Sequence, residues 1–119
     1  MRKTQGHDGG AFRFKVVNVL DVPSRGVLLR LRLVEGSPSL RELGPGRRLL
    51  LRSPSGEERE VRVLDFSVTG GRATQSRLER MRELDVIVAS EDAWSGGRPV
   101  RIGWSVVGTA AERGAGRAA

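Results

Sequence analysis

The stretch Val27-Leu28-Leu29-Arg30-Leu31-Arg32-Leu33 decides the fold. Val27, Leu29, Leu31 and Leu33 fall on one side of an extended chain, and Arg30 and Arg32 fall on the other. That period of two is the signature of a half-buried strand, and a helix cannot produce it. Working outward, Phe12, Phe14, Val16 and Asn18 share a face upstream, with Arg13 and Lys15 opposite. Downstream the same alternation, with its β-branched content, predicts strands near Arg47 to Ser53, Arg59 to Val68, Leu84 to Ser90 and Val100 to Val107. Turn chemistry separates them: Pro23-Ser24-Arg25-Gly26 is a tight turn, Gly36-Ser37-Pro38-Ser39 opens a loop, Gly44-Pro45-Gly46 precedes the third strand, and Ser53-Pro54-Ser55-Gly56 reads as a hairpin tip. Only Ser76 to Glu83 departs from strand periodicity, with Leu78 and Met81 at helical spacing. The fold class this predicts is all-β: a small six- to seven-stranded antiparallel barrel, closed or nearly closed, with one short helix near 76–83.

The chain has 119 residues, enough for one domain with its own core. Residues 1–10 and 109–119 are polar, small and glycine-containing, and read as disordered tails around a barrel spanning 11–108. No apolar run approaches the roughly 18 residues of a membrane helix. The amino terminus has no apolar stretch behind its basic residues, so it does not read as a secretory signal and the expected location is cytoplasmic.

Chemistry is constrained by what is scarce. Cysteine is absent and the single histidine, His7, lies in the amino-terminal tail, so thiolate, zinc and histidine acid–base chemistry lack their usual residues. Asp21, Asp65, Asp85, Glu91 and Asp92 show no spacing that demands acid–base work and read as solvated turn residues. No catalytic residue, metal ligand or cofactor is expected.

The formal charge of +7 points to an anionic partner. Lys3 and Lys15 are the only lysines, and a GC-rich genome would write the same preference for arginine, so the net charge carries the argument and the choice of Arg does not. Arg13, Arg30, Arg32, Arg48, Arg52, Arg62 and Arg101 are the candidate phosphate contacts. Trp94 lies in the polar run Ser90-Glu91-Asp92-Ala93-Trp94-Ser95-Gly96-Gly97. Its indole either plugs a barrel mouth or is buried by a partner. Trp104, alternating with Val100, Ile102 and Val106, reads as core.

Taken in order, Phe12-Arg13-Phe14-Lys15-Val16-Val17, Ser24-Arg25-Gly26-Val27, Arg32-Leu33-Val34-Glu35-Gly36 and Leu43-Gly44-Pro45-Gly46-Arg47-Arg48-Leu49, with Gly97-Arg98-Pro99-Val100 near the end, resemble the β-barrel that forms the second domain of elongation factor Tu and related translational GTPases. The resemblance spans about four-fifths of the chain. It implies the barrel and, through the family's hold on the aminoacyl end of tRNA, RNA as a partner. The sequence has no phosphate-loop motif, so GTP hydrolysis is not implied. A second pattern, Arg48-x-x-x-Arg52 with Asp65-Phe66-Ser67-Val68-Thr69-Gly70, is similar to the signature of PilZ domains, which implies cyclic di-GMP as a ligand; in that family the arginine pair precedes the first strand.

The expected function is a non-enzymatic binding module whose basic barrel contacts RNA or a ribonucleoprotein. The alternative is a protein-interaction adaptor docking through barrel loops, and the third reading is a PilZ-like receptor. Arginines gathered on one face favour nucleic acid; acids interspersed among them favour the adaptor.

Overall fold

The computed structural model describes residues 11–67, 74–94 and 99–108. Six strands follow in chain order: β1 (Phe12–Val22), β2 (Gly26–Glu35), β3 (Arg48–Arg52), β4 (Glu58–Phe66), β5 (Glu83–Val88) and β6 (Ser105–Gly108). They pair antiparallel in the circular order β1-β2-β5-β4-β3-β6 and close into a barrel. β6 makes the closure, because Val106 stands opposite Phe14 of β1 on one side and Leu51 of β3 on the other. The expected tails, 1–10 and 109–119, lie outside the described residues.

Alternation becomes inside and outside. Phe14, Val16, Leu29, Leu31, Leu51, Val61, Val63, Val86 and Val88 are fully buried within the barrel, each worth about 1.5–3 kcal/mol of transfer free energy. Phe12 and Phe14 meet edge to face with ring centroids 5.9 Å apart, a favoured aromatic geometry.

Two rims organise the rest. At the first, the β2–β3 connection carries a short 3-10 turn (Leu40–Glu42) that touches helix α1 (Gln75–Met81): the Leu40 amide donates to Gln75 Oε1 at 2.8 Å. The Leu33 amide donates to the Arg82 carbonyl at 2.7 Å, so α1 ends against β2 at this rim. Ala11 lies against Gly36, and Phe12 pairs with Gly108, so both ends of the described barrel emerge here. The second rim holds the 23–25 turn, the 53–57 hairpin tip, helix α2 (Ser90–Trp94) and residues 99–104.

α1 matches the expected helix, with two differences. Thr74 caps it by accepting from the Arg77 amide at 3.1 Å, and Arg82 ends it in the left-handed region, so Glu83 already belongs to β5. Leu78 is buried and Met81 is exposed, because seven residues turn only one side chain inward.

Three expectations fail. Asn18 does not continue the inner face of Phe12, Phe14 and Val16: a bulge between Val16 and Asn18 shifts the phase, and Val19 packs on the core instead. The last strand does not span Val100 to Val107. Arg101–Gly103 form a turn, with Gly103 at φ +100°, so Ile102 is thrown outward while Val100, Trp104 and Val106 remain buried. The polar run from Ser90 is helical as far as Trp94, with the Asp92 and Ala93 amides donating to the Ala89 carbonyl and two acids in its first turn.

The tight turn 22–25 closes with the Arg25 amide on the Val22 carbonyl at 2.9 Å, and Gly26 follows at φ +140°. A β-carbon at Gly26 would collide with the Val88 carbonyl oxygen, whereas one at Gly46, also at positive φ, would meet open space. Gly46→Ala is therefore expected to cost about 1 kcal/mol through backbone strain alone, and Gly26→Ala about 3 kcal/mol or more. Denaturant unfolding of the two variants checks this, and equal costs would mean that the sheet absorbs the collision.

Candidate nucleic-acid interface

The barrel wall carries six of the seven arginines singled out from the sequence, and it carries acidic partners too. Antiparallel register places four arginines directly across from a carboxylate, while Arg48 stands across from Arg62 and reaches Glu60 diagonally. Arg30 binds Asp85 through two hydrogen bonds, at 2.9 and 3.0 Å. This contact, reinforced by the attraction of the carboxylate, holds the guanidinium above its ordinary pKa. Arg32 meets Glu83 at 2.8 Å, Arg52 meets Glu58 at 2.7 Å and Arg13 meets Glu35 at 3.3 Å. Arg48 and Glu60 stand 4.0 Å apart. Five of the seven candidate arginines are thus tied to carboxylates, and no uniform positive face forms on the wall. Asp85 is correspondingly a strand residue in a bidentate pair and not the solvated turn residue expected from sequence. Asp92 Oδ2 accepts from the Arg62 amide at 2.8 Å, and Asp65 lies 3.9 Å from Arg25.

The net charge therefore resides elsewhere. At the first rim, residues 36–47 and 74–82 carry Arg41, Arg47, Arg77, Arg80 and Arg82 against Glu42 and Glu79. The remaining ten cations of the described segments are matched by ten acids, so the whole described surplus of three sits at this rim. The other four net charges, one each in 1–10, 68–73, 95–98 and 109–119, lie outside the described residues. None of the rim's five arginines was picked out by alternation, because they stand on loops and a helix where period-two reasoning has no purchase.

The rim has structure as well as charge. Arg47 Nε donates to the Arg41 carbonyl at 3.2 Å, and no ion pair engages either guanidinium among the described residues. Between them runs a groove lined by Leu40, Gly44, Pro45 and Phe66. One Glu42 carboxylate oxygen accepts from Ser39 Oγ at 3.2 Å, and the other is buried without a partner among the described residues.

The second rim is different in character. Trp104, 2% exposed, closes it from inside with Ala93 and Val100. Arg59 ties the closure together: its guanidinium lies 5.9 Å from the Trp104 ring centroid and donates to the Ala93 carbonyl at 2.9 Å. Trp94 is not the plug; the helix places it outside at 41% exposure. Beside it in a shallow groove with Val19, Pro99 and Arg101 stands Ile102, 63% exposed. Of the seven candidate arginines only Arg101 lies here, and Arg62 lines a neighbouring polar groove with Arg25 and Glu91.

Arg48 and Arg52 lie on β3, the third strand, bound to glutamates, and Val68 to Gly70 of the accompanying motif fall outside the described residues. Among the described residues no cluster of three potential metal ligands occurs, and no helix is long and apolar enough to cross a membrane. Comparison with protein-family models, with curated proteins and with solved structures gave no match.

The two tryptophans are expected to respond oppositely to truncation. Trp104→Ala opens a cavity under Arg59 and should lower stability by about 3–5 kcal/mol, whereas Trp94→Ala should shift it by less than about 1 kcal/mol. The urea midpoints of the two variants decide, and a large loss for Trp94→Ala would mean that its ring supports the rim.

Proposed function

We propose that this protein is a non-enzymatic RNA-binding module that holds the phosphate backbone at the basic rim formed by α1 and the β2–β3 connection. The observation that carries the reading is the segregation of charge: a wall whose arginines are largely tied up in cross-strand ion pairs, and a rim where arginines outnumber acids and form no ion pair among the described residues. Phosphates displace water from such groups and release counterions, and that release drives association. A wall arginine would have to leave a carboxylate first, which removes most of the gain. The order of turn and strand motifs in the sequence, which resembles that of the second domain of elongation factor Tu, lends support to a nucleic-acid role, although a shared barrel would not by itself transmit function.

A docking role for the opposite rim is favoured by Trp94 and Ile102 standing side by side in water. It becomes the leading reading if RNA binding fails.

Binding of a single-stranded RNA is expected to fall steeply with salt. If three to five phosphates are neutralised, log K against log salt should have a slope of about −2 to −3.5. Replacing Arg41, Arg47 and Arg80 with Gln should flatten the slope by about 2, while the same replacement at Arg13, Arg32 and Arg52 should leave it nearly unchanged. Anisotropy titrations over a salt series measure both. Undetectable binding at low ionic strength, or equal losses in the two triple variants, overturns the assignment.

A further inference from the structure

We infer that the groove between Arg41 and Arg47 seats an unpaired base against Phe66, which makes the ligand of this rim single-stranded RNA and not a duplex. The inference rests on the reading of the rim as a phosphate-binding surface and adds to it the part of the ligand that charge alone cannot select. Phe66 is the last residue of β4 and is only partly buried. The chain holds five aromatic residues: Phe12, Phe14 and Trp104 are buried, Trp94 belongs to the opposite rim, and Phe66 alone stands beside the surplus arginines. Position on a strand end fixes the ring from below, since the Phe66 amide donates to Asp65 Oδ1 at 2.8 Å and its residue pairs with Val86.

The ring packs on the core with one side and borders the groove with the other, beneath the 40–47 loop. Gly44 passes the ring's far edge as bare backbone, and a β-carbon there would lie 3.5 Å from Cζ and 3.6 Å from Cε2. Pro45 and the aliphatic Leu40 complete apolar walls, and Arg41 and Arg47 stand on the margin. Arg47 is held in place by backbone bonds on both sides, its amide to the Gly44 carbonyl at 3.0 Å and its carbonyl from the Val63 amide at 2.8 Å. With Nε spent on the Arg41 carbonyl, its terminal nitrogens remain for an anion. An apolar slot with an aromatic floor and cations on its lip suits a nucleotide whose base is unpaired: the base stacks and its phosphates meet the guanidiniums. A duplex keeps its bases stacked on one another and offers only phosphates and sugar edges.

The test uses the full chain at fixed low salt and three fluorescent probes: an oligouridylate of about twelve nucleotides, an abasic oligomer of the same length, and an RNA duplex of about twelve base pairs. The oligouridylate should bind at least about fivefold more tightly than the abasic strand. Phe66→Leu should erase that preference and leave abasic binding unchanged, Phe66→Trp should keep it, and Arg47→Gln should weaken both single strands. Circular dichroism of each variant confirms the barrel, and Phe66→Trp carries the test should the leucine variant fail to fold, a lost preference then counting against the seat. Equal binding of oligouridylate and abasic strand by the unaltered protein, a preference that survives Phe66→Leu, or tighter binding of the duplex overturns the base seat while phosphate binding stands. Failure of all three probes to bind overturns the phosphate reading itself.

Discussion

Everything in this barrel depends on a four-residue strand finding two partners at once. β6 pairs with β1 and β3, and without it the sheet would have two open edges flanking a strongly curved core. Val106 stands at the centre, fully buried, with Phe14 and Leu51 on either side. The turn at Arg101–Gly103 delivers the strand: the Gly103 amide and the Trp104 carbonyl bond the two polar groups of Val16, so pairing with β1 begins before β6 does. The bulge that follows Val16 answers this early contact and redirects β1 toward the second rim. The tryptophan, the bulge and the short strand are one device seen from three positions in the chain.

Closure also determines what the outside can do. A strand that buries every second residue must expose the others, and in a closed sheet each exposed residue has neighbours on both sides. A continuous row across all six strands runs Glu83, Arg32, Lys15, Ser105, Arg52, Glu58. Cations at its centre are bounded by acids at its ends, which engage Arg32 and Arg52. Exposed pairs of this kind contribute about 0.2–1 kcal/mol each, so they matter less for stability than for appearance: they take the wall out of contention as an anion surface. At the rims, register no longer brings an acid to every arginine.

The barrel was legible because a period of two in Val27, Leu29, Leu31 and Leu33 has one structural meaning, and because glycine and proline mark the turns. Alternation was trustworthy only while nothing interrupted its phase. Asn18 was misplaced because a bulge inserts a residue and Ile102 because a turn interrupts the strand, and no local composition announces either. Trp94 was recognisable as anomalous, yet its side of the rim depended on the five-residue helix α2, whose polar residues imitate a loop. The site was harder to read than the fold. Sequence reveals which residues are charged, but pairing is a property of register: Arg30 and Asp85 are 55 residues apart and meet only because β2 and β5 are neighbours. Arg41, Arg47 and Phe66 form a groove only because the β2–β3 connection folds over the end of β4.

The pairing of Phe12 with Gly108 has a topological consequence of its own. Facing residues in antiparallel strands have α-carbons about 5 Å apart, so the path into the barrel and the path out of it are side by side. A unit built this way can be spliced into a surface loop of a host chain with little stretching of the host, because it imposes on the host only the gap of an ordinary hairpin. Grafted so, it would project with Trp94 and Ile102 outermost and its arginine rim turned toward the graft point. The orientation in which such a barrel is carried would then select which of its two ends can meet a partner.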